Sequence, residues 1–247
     1  MHASIVPVIL IIFVATVIRS SLGFGEALVA VPLLALCIPL KMAAPLAVLA
    51  SITVAIVIVV QDWRHIHLRS VGWLVLATAA GVPLGLRLLI ACPEALVKGC
   101  LGLLILLFAL YCLAGWMRLQ LHRDSQAWLL FCGFVAGILG GAYGMNGPPL
   151  VVYGSLRGWS AQHFRATLQA YFLPAGMLGL CGYWAAGLWT PVVTRDYLLC
   201  LPAIPPAVLV GRVINRRLQT AAFSRYVYIA LAGVGLSLLG EAIIRTH

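Results

Sequence analysis

The chain has 247 residues, 63% of them hydrophobic and 9% charged, with a mean hydropathy of +1.08. A soluble domain of that composition would expose large apolar patches, so the chain reads as an integral membrane protein. Its formal charge of +10 comes from sixteen Lys and Arg scattered between apolar runs, which suits loops beside a bilayer and excludes a nucleic-acid-binding domain.

Ten apolar segments follow in chain order, at 4–19, 22–40, 43–60, 71–91, 96–116, 127–144, 147–156, 166–188, 197–211 and 226–244. Lipid offers backbone groups no hydrogen-bond partners, so runs near twenty residues select helices, and the lack of alternation excludes a barrel. The expected fold is an all-α integral membrane protein with eight to ten transmembrane segments, some broken by glycine and proline. The first run has no Lys or Arg before it and Arg19 after it, which predicts a retained helix and not a cleaved signal peptide. The seventh run has ten residues, about 15 Å of helix against a hydrocarbon core of about 30 Å. It and the second run are therefore the candidates for half-helices or re-entrant hairpins.

The two halves echo each other. Phe13, Val14, Ala15 and Gly23 match Phe134, Val135, Ala136 and Gly144 at an offset of 121, and Ala44 and Leu46 match Ala166 and Leu168 at 122. Two homologous repeats are expected, at 1–116 and 127–247, joined by a polar connector at 117–126 (MRLQLHRDSQ). If all ten segments cross, Lys and Arg divide 11 to 5 between the sides; with eight crossings they divide 10 to 6. Ten crossings also give each half an odd count, so that the repeats insert inverted. Both counts place the two termini outside.

Each half carries a broken stretch after its first helix, LGFGEALVAVP at 22–32 and YGMNGPPLVVY at 143–153. Gly23 and Gly25 flank Phe24, and Asn146, Gly147 and Pro148 fill the second break. Glycines bring bare backbone to a ligand, and the helix start beyond each break offers free N–H groups to an anion. Prolines at a helix start cost no internal hydrogen bond. Asn146 is read either as a cap of its helix or as a ligand donor. Paired breaks in symmetric halves are what a secondary transporter presents around a midplane site.

Glu26 is the one acidic residue well inside an apolar segment. Its alternatives are a proton-coupling group or a carboxylate paired with Arg19. Arg19 either reaches the break or snorkels to the interface. Arg165 is read first as a plain cytoplasmic anchor, its alternative being a guanidinium fork that, with the polar tips of Gln169 and Tyr171, suits a sulfonate or carboxylate. Ser51 and Thr53 are read as bonded back to their own helix. Seven cysteines without a Cys-x-x-Cys, and histidines confined to loops and termini, suggest no disulfide framework, metal site or cofactor. Protease signatures are absent too.

Three stretches, Gly23-Phe24-Gly25-Glu26-Ala27-Leu28-Val29-Ala30-Val31-Pro32-Leu33, Gly140-Gly141-Ala142-Tyr143-Gly144-Met145-Asn146-Gly147-Pro148-Pro149 and Phe164-Arg165-Ala166-Thr167-Leu168-Gln169-Ala170-Tyr171-Phe172, resemble the sulfite exporter TauE/SafE family of membrane transporters. The pattern departs from the family at Glu26, where further glycines are usual. The resemblance implies export of small sulfur-containing anions, such as sulfite, sulfoacetate or other organosulfonates, across a bacterial inner membrane on the proton gradient. The expected partners are that anion, protons and lipid, with homo-oligomerisation left open. The rival readings are a passive anion channel, a transporter of small carboxylates, and a membrane enzyme or assembly factor.

Overall fold

A computed structural model describes residues 5–62, 68–115, 126–157, 161–217 and 220–246. Every regular element among them is helical: α1 (Ile5–Leu22), α2 (Glu26–Cys37), α3 (Leu40–Asp62), α4 (Leu68–Ala91), α5 (Glu94–Leu113), α6 (Gln126–Tyr143), α7 (Gly147–Leu156), α8 (Ala161–Ala185), α9 (Pro191–Cys200), α10 (Ile204–Arg217) and α11 (Thr220–Thr246). The protein is thus an all-α integral membrane protein. Seven segments among the described residues are long and apolar enough to cross a bilayer: α1, α3, α4, α5, α6, α9 with α10, and α11. Large side chains such as Leu10, Leu76, Leu107, Leu209 and Leu236 face outward, as a lipid-facing surface requires.

The ninth apolar run starts earlier than hydropathy suggested. Thr190 accepts a hydrogen bond from the Val193 N–H and Pro191 opens α9, a placement in which proline forfeits nothing. A 3₁₀ turn at Leu201–Ala203 then separates α9 from α10. Pro202, Pro205 and Pro206 lack the N–H groups that a continuous helix would use there.

The short segments are helices of 12 residues (α2) and 10 residues (α7), about 18 and 15 Å long at 1.5 Å per residue. Each lies between a glycine break and the next long helix. α1, α2 and α3 begin at 5, 26 and 40, and α6, α7 and α8 begin at 126, 147 and 161, each 121 residues later. Gly23 (φ 87°) and Gly144 (φ 67°) obey the same offset. Both sit in the left-handed region that ends a helix, where a Cβ would be strained. Each closes its helix with an equivalent bond, Gly23 N–H to the Arg19 carbonyl at 2.6 Å and Gly144 N–H to the Gly140 carbonyl at 2.9 Å.

Between helices the packing is backbone against backbone. Gly137 of α6 faces Thr78 and Gly81 of α4 so closely that an added Cβ would lie 2.9 Å from the Gly81 Cα and inside the Thr78 carbonyl. Gly81, Gly85, Gly133 and Gly141 serve the same contact. In lipid, where apolar burial gives helices no special reason to associate, such close approach supplies the dispersion contacts that hold them. α5 and α11 pack antiparallel: Gly99 meets Ala242, Gly102 meets Leu238, and the rings of Phe108 and Tyr228 meet edge-on at 6.3 Å. At one end of this pair Lys98 lies 3.4 Å from Glu94 and 3.3 Å from Glu241. Glu94 also accepts from the Leu40 N–H, and Lys41 donates to the Ile90 carbonyl, so the α2–α3 link is tied to that end.

Candidate functional site

The two breaks line one cavity. Phe24, Gly25 and Glu26 from the first, and Gly144, Met145, Asn146, Gly147 and Pro148 from the second, share it with Arg19, Ser51, Phe108, Phe172 and a few small residues. Its volume, about 40 Å³ of space for the centres of water-sized groups, suits a small ion and falls far short of a drug-sized pocket.

Arg19 dominates its chemistry. This guanidinium, in the last turn of α1, is 2% exposed. Its Nη1 donates to Glu26 Oε2 at 2.6 Å, to the Ser51 carbonyl at 2.9 Å and to Ser51 Oγ at 2.5 Å. The Phe172 ring lies 5.3 Å from its Cζ, within cation–π range. Glu26, the first residue of α2 and also 2% exposed, accepts a second bond from Thr16 Oγ1 at 3.1 Å. The carboxyl group thus stands at a helix N-terminus, between a hydroxyl and a guanidinium. Among the described residues lining the cavity, Arg19 and Glu26 are the charged ones.

The second break is built differently at equivalent places. At the offset of 121, Gly140 stands opposite Arg19, Gly147 opposite Glu26 and Asn146 opposite Gly25. Asn146 packs on Gly140, whose missing Cβ would fall 3.0 Å from the Asn146 Cγ. The Asn146 Oδ1 is buried without a hydrogen-bond partner, so Asn146 does not use it to cap α7. An orphaned buried acceptor costs free energy until a donor arrives.

Of the residues expected from sequence, Arg19, Phe24, Gly25, Glu26, Asn146, Gly147 and Pro148 meet at the cavity. Arg19 reaches the break and does not snorkel. Gly23 shapes the turn behind it and is not among the lining residues. Tyr171 is placed elsewhere: it is fully buried, and its hydroxyl lies 2.6 Å from Thr78 Oγ1, between α8 and α4. Arg165 and Gln169 belong to α8, and their side chains lie outside the described ones. Ser51 differs from the sequence expectation, since it receives Arg19. Thr53 does bond back to Leu49, and also meets the Tyr197 hydroxyl at 2.6 Å. Sequence reasoning missed Thr16, Phe172 and Phe108. A signal existed for Phe172 alone, which closes the third family-like stretch.

These broken helices and their shared cavity span a chain whose residues 8–238 match the model of the sulfite exporter TauE/SafE family. The chain belongs to the sulfite exporter TauE/SafE family. It is a multi-pass membrane transporter and not an enzyme. Neither the curated proteins nor the solved structures gave a match. Both motif-bearing breaks and the α8 stretch fall inside the matched residues.

Proposed function

We propose that the chain exports a small sulfur-containing monoanion, of the hydrogen sulfite or alkanesulfonate kind, across a bacterial inner membrane by alternating access around the Arg19 cavity, with Glu26 carrying the coupled proton. The observation that carries this reading is a buried guanidinium in a small cavity formed by two broken helices. A planar fork suits the paired oxygens of a sulfite or sulfonate. The bond from Arg19 to Glu26 occupies donors that an incoming anion would need. Protonation of Glu26 would release them.

Alternating access needs two halves that move against one another. The recurrence of helix starts at an offset of 121 supports two homologous repeats, and the antiparallel run of α5 against α11, the last helix of each half, supports their inversion. The two breaks then form the contact between repeats, and small rocking motions would open the cavity to either side.

The test is flux into protein-loaded vesicles from purified full-length chain, with sulfite, methanesulfonate and acetate as separate substrates. Saturable movement of the sulfur anions, lost in Arg19→Met, is expected. Acetate moving as well as the sulfonates would assign the cavity to carboxylates. Flux that never saturates and never runs against a gradient would make the protein a channel.

A further inference from the structure

We infer that the cavity moves one proton together with one monovalent anion, so that transport is electroneutral and dianions are rejected. The inference rests on the proposed anion site and adds its charge stoichiometry. It follows from which charge states the cavity can hold while closed.

The cavity contains one fixed positive charge, Arg19, and one titratable negative charge, Glu26, 2.6 Å apart. Guanidinium does not lose its proton in a protein. Glu26 ionised and no anion leaves the site neutral. Glu26 protonated with a bound monoanion is neutral too. The other two combinations, a protonated Glu26 with no anion or an ionised Glu26 beside an anion, strand a net charge among residues exposed by 2%. An uncompensated buried charge is the most expensive outcome available there. The halves therefore close over the two neutral states alone, and proton and anion are taken up and released together. By linkage, each raises the affinity of the site for the other.

Among the described residues no other charge is placed to relieve this constraint. On the elements packed against α2, Lys98 of α5 is engaged with Glu94 and with Glu241 of α11, and Lys41 of α3 donates to the Ile90 carbonyl. Neither lysine is among the residues that line the cavity. Tyr228 of α11 meets Phe108 through its ring. Ser51, Thr16 and Asn146 contribute dipoles and no charge.

A dianion would leave the loaded site at minus one even with Glu26 protonated, so sulfate is excluded by charge where methanesulfonate is admitted. Outward flux is then driven by the anion's own gradient and opposed about tenfold per unit by a pH gradient that is acid outside. A negative-inside potential neither assists nor opposes it.

The experiment measures steady-state accumulation of methanesulfonate in vesicles holding the purified protein, at 0 and 100 mV set with potassium and valinomycin, and across a one-unit pH gradient. The expected accumulation ratio is indifferent to voltage and moves about tenfold with the pH gradient, since each anion carries one proton. Sulfate should compete at least about tenfold more weakly than methanesulfonate. In Glu26→Gln the empty site keeps the uncompensated Arg19 charge and cannot close, so net accumulation should be lost while exchange of methanesulfonate for methanesulfonate persists. A wild-type ratio that shifts about 50-fold per 100 mV and ignores the pH gradient would overturn the inference while leaving the anion site standing. Absence of flux for every anion overturns the proposed function and this inference with it. The wild-type measurement stands by itself if Glu26→Gln does not fold.

Discussion

Arg19 and Glu26 face each other at 2% exposure, which makes their separation costly in an unequal way. Glu26→Gln keeps the shape and removes the counter-charge. The guanidinium then retains Ser51 and the Phe172 ring, at 2.9 Å and 5.3 Å, but has no anion and cannot shed its proton. Breaking a buried pair costs about 3–5 kcal/mol, and the remaining cation–π contact and neutral hydrogen bonds offset about a third of that, leaving about 2–3 kcal/mol. At about 2–4 °C per kcal/mol for a chain of this size, the melting temperature should fall by roughly 4–12 °C. Arg19→Met strands a carboxylate, which can neutralise itself by taking a proton. Its loss should therefore be smaller, and should shrink further as pH falls, whereas the loss in Glu26→Gln should not.

The double variant Arg19→Met/Glu26→Gln removes both charges and should recover to within about 1 kcal/mol of the wild type, a coupling of at least 2 kcal/mol. Thermal unfolding in detergent, followed by a thiol-reactive dye, is a suitable assay, because Cys112, Cys132 and Cys200 are buried and Cys37, Cys100 and Cys181 set the folded baseline. Additive losses in the two single variants would refute the reasoning, since they would mean that the pair does not interact. A Glu26→Gln protein as stable as the wild type would mean that the cavity hydrates Arg19. In that case charge exclusion could not enforce coupling either.

Gly137→Ala should cost about 1–3 kcal/mol and lower the melting temperature, because its Cβ enters the α4 backbone; Gly233→Ala, with nothing within 4 Å, should leave it unchanged or raise it. Tyr171→Phe should cost about 1 kcal/mol through the lost bond to Thr78, with an unchanged half-saturating anion concentration in vesicle flux. A large rise in that concentration would return Tyr171 to the site. Asn146→Ala removes an acceptor that is unpaired in the empty cavity, so unfolding of the empty protein should not become easier. Binding of hydrogen sulfite, which can donate a hydroxyl, should weaken about five- to tenfold, the equivalent of one hydrogen bond of about 1–1.5 kcal/mol, while methanesulfonate binding should be indifferent.

Membrane helices announce themselves because lipid permits no other use of twenty apolar residues. The breaks were legible for a related reason: glycine and proline have few roles after an apolar run. Even the shortness of α7 followed from counting, whereas the 12 residues of α2 lay inside a run read as 22–40. What sequence withheld depends on distance across helices. Ser51 reads as a self-bonded serine until α3 is laid beside α1, and Thr16 as one more small residue until α2 places Glu26 against it. Tyr171 misled because a polar tip near a motif suggests a ligand, whereas Thr78, 93 positions away, claims its hydroxyl. The start of α9 was missed since Thr190 and Pro191 carry little hydropathy and act through capping.

The asymmetry between the breaks links these cases. A symmetric pair would have set a second arginine at 140 and a second glutamate at 147. Four charges lining one small cavity would bind one another and leave no work for a substrate. Glycine at both positions clears that half of the cavity, and Asn146 occupies the space above Gly140 with an acceptor and no charge. One break thus holds an exchangeable ion pair and the other a neutral wall, so an arriving monoanion meets a single cation whose existing partner it can displace only by handing that partner a proton.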